Sequence, residues 1–512
     1  MFKTHKTYLL VLFTLGLVVR GWCGYSYFFD SNSRLAIDNI AAFKFDLARE
    51  QLTIAKRLNP TNNIPYWAEN YIDFLELMNE EREDKFEELL PFRAERLERL
   101  SKGMENSPYK QFCQAEVLMQ WAFVRIKFRQ YVTAFKEIDR AYTLLDDNSK
   151  RYPDFVPNKA GMGVLHILIG SVPDNYAWIT KLVGYKGTVE QGLAELNAAL
   201  YSANQHADYK FLETECSFFL AFLYLNLESN RDKALKFRDD YLASRKMGLR
   251  GLEPIQAYAL GKLSLQLGLN DDANEILMYC KSGEGRSELR YLDYLRGQTY
   301  LNKLSDSSRL FFQRYITKFK GRNFIKSAYQ RIAWSYLIEG DTNQYLAYIR
   351  KVPLVGVQDT DSDKQAQREA TKSEIPNPML LKSRFLSDGG YYQRALKELE
   401  AMLANQQQRC IRDEVELHYR KARVLDDSGY KKQALLWYRK TILLGDKLPY
   451  YFAANAALKS GAIHESQNDP ESAAKNYRAC LKMDYEEYKN GISQKAKIAL
   501  QRVTNQMKKH KQ

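Results

Sequence analysis

The chain has 512 residues, 45% hydrophobic and 27% charged, at a mean hydropathy of −0.49, too polar for a protein that crosses a bilayer many times. Six cysteines and six histidines exclude a disulfide-stapled scaffold and leave little material for metal sites. With only 13 Pro and 26 Gly to interrupt helices the expected body is all-helical, and 76 basic against 62 acidic residues, net +14, keep a polyanion in view as partner.

The first predicted element is a secretory signal over residues 1–24. Lys3, His5 and Lys6 precede an apolar run twelve residues long, 8–19, followed by Arg20, Gly21, Trp22, Cys23 and Gly24. Twelve is short of the ~20 needed to span a bilayer. Cleavage after Cys23 or after Gly24 fits the small residues there, and Trp22 and Arg20 argue against lipidation at Cys23. Removal lowers the net charge to +11. The expected location is therefore exported: periplasm or envelope in a Gram-negative cell, otherwise secreted. The remaining Cys113, Cys216, Cys280, Cys410 and Cys480 have no metal-site spacing and are expected as small core residues.

Helical repeats are predicted from 25 to 151. Ala36, Ala48, Leu52, Ala55 and Pro60 form one unit, and Ala122, Tyr131, Ala134, Ile138 and Ala141 another. Between them the charged stretch 80–99, with Glu95 and Arg99 at helix spacing, reads as an exposed face. A Gly-rich helical insert follows at 152–200, with Gly161, Gly163, an apolar run over 164–172, Gly184, Gly187 and Gly192. These glycines lack both the phosphate-loop and the dinucleotide spacing, and His166 in the apolar run is expected as a core histidine.

Middle repeats are predicted from 201 to 357, carried by Gly261, Gly268, Ala273, Leu277 and Cys280, then by Gly297 with Tyr300 and Ala333 with Tyr336. A polar connector at 358–378 opens like a calcium loop with Asp359, Asp361 and Asp363, but Lys364 stands where Gly is needed and Ala370 where Glu is needed. The clearest repeats are predicted from 379 to 500, before a basic tail at 501–512. Ser383, Ala395 and Leu399 recur 39 residues later as Ala422, Ala434 and Tyr438, and again as Gly461, Ala473 and Tyr477. Small residues at such positions let two helices cross closely while aromatics fill the gap beside them.

These units resemble the tetratricopeptide repeat, so the expected fold is an all-α, tetratricopeptide-type superhelix with a non-repeat central insert. A finer resemblance lies in Gly161-Met162-Gly163, Ser171-Val172-Pro173, Val183-Gly184-Tyr185-Lys186-Gly187 and Gly192-Leu193. With Lys351-Val352-Pro353, Lys372, Ile375-Pro376 and Lys382-Ser383-Arg384, these look like the family that includes tetratricopeptide repeat protein 39 and the fungal inclusion-body-clearance proteins. That resemblance implies helical repeats, protein partners and no catalytic residues.

No His-Glu-x-x-His and no Gly-x-Ser-x-Gly elbow with a plausible base occurs, so neither an enzyme, a metal nor a cofactor is expected. The expected function is a protein-interaction scaffold or adaptor working through a concave groove. The groove residues set by the repeat register are Tyr258, Lys262, Arg384, Glu416, Tyr419, Arg423 and Asp426, rich in the Tyr and Arg that dominate desolvated interfaces. A protein partner is expected and nucleic acid is not, with a membrane or envelope complex left open as a peripheral associate. The alternative is polyanion or nucleic-acid binding through 311–326. There Arg314, Lys318, Lys320, Arg322 and Lys326 interleave with Phe311, Phe312, Tyr315, Phe319 and Phe324, the charge-and-ring mixture such binding uses.

Overall fold

The computed structural model describes residues 24–171, 185–226, 231–245, 248–280, 283, 285–372, 374–405 and 409–509. The amino-terminal signal reading up to residue 23, and residues 172–184 of the central insert, lie outside them. The described residues form 24 α-helices with three 3₁₀ segments; their β pairings are two isolated bridges, Tyr25 with Gly103 and Ser26 with Asn62. None of the described helices is long and apolar enough to cross a membrane. The chain divides into two compact units, Met1–Leu77 with Glu83–Gly161, and Met78–Arg82 with Met162–Gln512.

The first unit is built from α1 (Ser31–Ala41), α2 (Phe45–Leu58), α3 (Ile64–Glu80), α4 (Glu83–Ser101), α5 (Pro108–Lys127), α6 (Tyr131–Arg151) and the start of α7 (Val156–Gly170). Helices α1 and α2 pair, as do α5 and α6. Ala36 of α1 and Leu52 of α2 are both fully buried, the small-against-large pairing expected at a close helix crossing. Arginines bridge the elements: Arg96 reaches Asp73 at 2.5 Å, and Arg93 and Arg125 share Glu137 at 2.5 and 3.1 Å.

The second unit continues with α8 (Val189–Gln205), α9 (Glu213–Asn226), α10 (Arg231–Ala243), α11 (Pro254–Gln266), α12 (Asn270–Tyr279), α13 (Tyr291–Asn302), α14 (Ser308–Lys318), α15 (Ile325–Ile338) and α16 (Thr342–Ile349). After them come α17 (Asp361–Thr371), α18 (Pro378–Asp388), α19 (Tyr392–Ala404), α20 (Ile411–Asp427), α21 (Lys431–Gly445), α22 (Phe452–Ser466), α23 (Pro470–Lys482) and α24 (Lys489–Lys509). From α11 to α16 and from α18 to α23 the helices pack as consecutive pairs, and α20, α22 and α24 each also meet the preceding first helix. First helices stacked on first helices put their free face on the inner side of a curved stack and leave the second helices outside.

The 39-residue register has a physical cause in these pairs. A Cβ at Gly461 would lie 2.4 Å from the Tyr477 ring sixteen residues on. Ala422 and Tyr438 share one core cluster at the same spacing, and Ser383 and Leu399, again sixteen apart, are likewise fully buried. The turn that closes each pair repeats too: Gly390, Gly429 and Asn468 hold φ of 82°, 88° and 57°, the left-handed conformation that Gly and Asn adopt most readily. In the central insert the glycines serve crossing rather than ligand binding. A Cβ on Gly192 of α8 would stand 2.4 Å from the Gly163 carbonyl oxygen of α7. His166 is buried nearby, its Nδ1 2.6 Å from Glu195 Oε2.

The 358–378 segment, read as a connector, contains α17. Its Asp363 is fully buried and accepts the backbone N–H groups of Phe324 and Ser327 at 2.7 and 3.0 Å, capping the start of α15. Asp363 is thus spent on amide donors, and Asp359 faces Arg322 at 3.7 Å. Cys113, Cys216, Cys280 and Cys480 are buried, whereas Cys410 is exposed.

Candidate functional site

On the inner face, α18, α20 and α22 carry a dense polar cluster. Arg384 and Asp388 of α18 recur one register later as Arg423 and Asp427 of α20. Arg384 lies 3.8 Å from Asp388, and Arg423 joins the two repeats by reaching Asp388 at 3.1 Å and Asp427 at 3.2 Å. Deeper in, Arg420 contacts Glu416 at 2.8 Å and Arg412 contacts it at 3.4 Å. Burial works against ionisation of Glu416, but the Arg420 and Arg412 charges outweigh it and hold the carboxyl below its ordinary range. Arg384 also sits 5.1 Å above the Trp334 ring. A cavity of about 30 Å³, lined among others by Trp334, Glu369, Arg384, Arg412, Arg420 and Glu487, has room for little more than a water.

The groove residues set by the register divide accordingly. Arg384, Glu416 and Arg423 come together in this cluster, each already engaged by charges of its own chain. Tyr419 is buried against Phe452 and accepts a hydrogen bond from Asn455 Nδ2 at 2.7 Å. Asp426 is buried between α20 and α21, where it receives Lys431 Nζ at 2.6 Å and the Tyr438 hydroxyl at 3.0 Å. Tyr258 and Lys262 stand together on α11, the ammonium 5.7 Å from the ring.

The 311–326 stretch turns inward. Phe311, Phe312, Tyr315 and Phe319 are buried and Phe324 packs 5.0 Å from Tyr294, so these rings are committed to the core. Arg314 is tied to Asp293 at 2.6 Å and Lys318 to Glu288 at 3.2 Å. Lys326 is buried and donates to the Val352 carbonyl at 2.8 Å. Of its five cations Lys318 and Lys320 are the exposed ones.

A different basic surface emerges on the outer helices of the last repeats. Residues 428–512 hold sixteen Lys or Arg against seven Asp or Glu, so this final sixth of the chain carries +9 of its net +14. The register places Arg439 of α21 and Arg478 of α23 at one position, and Lys397 of α19 and Lys475 of α23 at another. Lys432, Arg439, Lys475, Arg478 and Lys482 are all exposed, and among the described residues none of them meets a carboxylate. Lys421 and Lys440 flank the Trp437 ring at 4.8 and 4.4 Å, with Tyr430 exposed at the start of α21. The signal for this ridge is present in the sequence as charge counted by segment, and a repeat register that sorts only the first helices does not carry it. Among the described residues no group of three or more His, Cys, Asp or Glu side chains could hold a metal ion.

None of the known protein-family models matches the chain, and no curated protein is detectably similar to it. Solved structures of stacked-helix proteins are. The human IFIT1 dimer with PPP-AAAA has 13% identity and a TM-score of 0.35 over 88% of this chain and 95% of that one. Yeast Tom70 has 11% identity and a TM-score of 0.24 over 93% and 89%, and the TPR domain of P58(IPK) 13% and 0.22 over 93% and 98%. Likeness at this level extends to a helical-repeat fold of the tetratricopeptide type, shared with several distant proteins, and does not single out the family anticipated from the Gly161–Gly187 and Lys351–Arg384 motifs. The expectation that nucleic acid is not a partner does not stand beside these findings: IFIT1 was solved with PPP-AAAA and, as a monomeric mutant, with Gppp-AAAA.

Proposed function

We propose that this chain is a non-enzymatic helical-repeat binding protein whose carboxy-terminal repeats take an extended polyanion of the nucleic-acid class along their outer helices. The observation that carries the reading is the unpaired ridge of Lys432, Arg439, Lys475, Arg478 and Lys482. Unpaired exposed cations on rigid, regularly stacked helices gain by displacing the counterions of a polyanion, and Tyr430 and Trp437 set rings among them. The reading replaces 311–326 as the address of such binding, because the rings of that stretch are buried. The test is the anisotropy of a labelled single-stranded oligonucleotide against full-length protein over a salt series. Log K falls linearly with log salt, at about −0.7 per phosphate neutralised. Five ridge cations correspond to a slope near −3.5 by that rule. Absence of binding at low salt, or binding indifferent to salt, refutes the reading.

A second reading keeps a protein partner on the inner face, with Tyr258, Lys262, Arg384 and Arg423 as its address and Glu416, Tyr419 and Asp426 buried behind them. What favours it is that Arg384 and Arg423 keep 22% and 23% of their side chains exposed while fixed by ion pairs, a preorganised arginine surface of the kind interfaces use. Such a partner is captured with weak salt dependence and is lost on truncating Arg384 or Arg423, not on changing the ridge.

A further inference from the structure

Helix α21 carries apolar side chains on two sides. Leu435, Ile442 and Leu444 pack against the core shared with α20 and α22, whereas Leu436 and Leu443 are 63% and 71% exposed. Seven residues apart, these two stand on one face of the helix, about 10.5 Å from each other along its axis. Lys432 and Arg439 share that face, so the exposed stripe reads Lys432, Leu436, Arg439, Leu443. Lys440 lies one turn from each leucine and Lys447 one turn beyond Leu443, both exposed. Of the residues three or four positions from either leucine, Asp446 alone is acidic.

The charges around the leucines restrict what covers them. A second copy of this surface would set Lys432, Arg439, Lys440 and Lys447 against their like, which is repulsive. A bilayer is a plane and is best met by a broad apolar face. Here the register places Lys397 of α19 and Lys475 of α23 where α21 has Leu436, and Lys482 of α23 where it has Leu443, so the apolar surface is a line one helix wide. A nucleic-acid duplex turns phosphate and sugar outward and keeps its base faces stacked inside. A phosphate laid on either leucine would give up water and gain no donor. A single strand offers phosphates and base faces together.

We propose that the outer ridge selects single-stranded nucleic acid, whose bases lie on Leu436 and Leu443 while its phosphates take Lys432 and Arg439. This rests on the ridge as the polyanion-binding surface and adds which polyanion that surface prefers. The alternation of cation and leucine along α21 answers the alternation of phosphate and base along a strand, and every base has an apolar face to offer, so the contact is tolerant of sequence. Covering roughly 60 Å² of leucine surface at about 25 cal/mol per Å² is worth about tenfold in affinity.

The experiment is the anisotropy of a labelled single-stranded oligonucleotide, of an abasic strand of the same length and of the duplex, each against full-length protein over a salt series. The strand with bases binds about tenfold more tightly than the abasic strand at every salt concentration, with the same log K–log salt slope, because the phosphates are shared and the bases are not. Leu436→Gln/Leu443→Gln lowers the strand to the affinity of its abasic counterpart and leaves its salt slope and duplex binding unchanged, which also shows that the variant is folded. Equal affinity for the two strands, or a base preference that survives the leucine changes, overturns the inference while the salt dependence still supports the ridge. Leucine-dependent binding to phosphatidylserine vesicles without any base preference assigns the stripe to a membrane and overturns it as well. Absence of binding by all three probes at low salt removes the ridge reading, and this inference with it.

Discussion

Replacing Gly461 by Leu tests the packing rule on which the repeat rests. A Cβ at this position would stand 2.4 Å from Tyr477 Cε1 and 2.6 Å from Cδ1, whereas carbon atoms in contact sit at about 3.5–4.0 Å. The ring must therefore retreat by more than an ångström, yet it is fully buried and its hydroxyl is held by Glu465, itself held by Arg502. A leucine gains about 1 kcal/mol of helix propensity over glycine. Overpacking a filled core costs about 1–3 kcal/mol for the first extra groups, and three further carbons push the loss past that range, so a net loss near 3 kcal/mol is expected. Amide hydrogen exchange reads it locally, as faster exchange across α22 and α23 with α11–α14 unchanged. Tyr477→Leu in the same chain, which removes the ring atoms that the new side chain meets, recovers about 1–2 kcal/mol relative to the sum of the single changes. Unchanged protection in Gly461→Leu, or a double variant no better than additive, refutes the reasoning.

Two further predictions concern the α15–α17 junction. Asp363→Ala leaves the Phe324 and Ser327 N–H groups without their acceptor and lowers stability by about 1–3 kcal/mol, visible as a lower urea midpoint; an unchanged midpoint removes Asp363 from the capping role. Glu369 accepts hydrogen bonds from Trp334 Nε1, Gln330 and Tyr345, but burial outweighs them and raises its pKa. The folded protein then holds this proton to higher pH than the unfolded chain, so its contribution is full below the ordinary glutamate pKa and is lost as pH rises through the raised value. Glu369→Gln flattens that part of the stability–pH curve, and a slope equal to the wild type's contradicts the assignment.

The fold was legible because its determinants are local. Gly461 with Tyr477, and Ala422 with Tyr438, meet sixteen residues apart within one helical pair, so composition and register suffice to find them. Binding residues were less legible because the register sets which face a side chain occupies and not what has already claimed it. Arg423 does lie on the inner face, but Asp388 of the preceding repeat reaches it. Tyr419 sits one turn away and is buried under Phe452. Asp363 reads as part of a polar linker because the amides it caps lie 36 and 39 residues earlier and come to it only through tertiary packing. Residues 311–326 show the converse: rings and cations interleave in the sequence, and folding sends the rings inward and ties Arg314 to Asp293.

The ridge is tested most directly by reversing two of its charges. In Arg439→Glu/Arg478→Glu the register-equivalent arginines of α21 and α23 become acidic at exposed positions, so the fold is retained. Oligonucleotide binding to full-length protein weakens and its log K–log salt slope becomes shallower by about 1.4, two phosphate contacts at about 0.7 each. An unchanged slope and affinity, or an equal loss from Arg384→Ala on the inner face, contradicts binding along the outer helices.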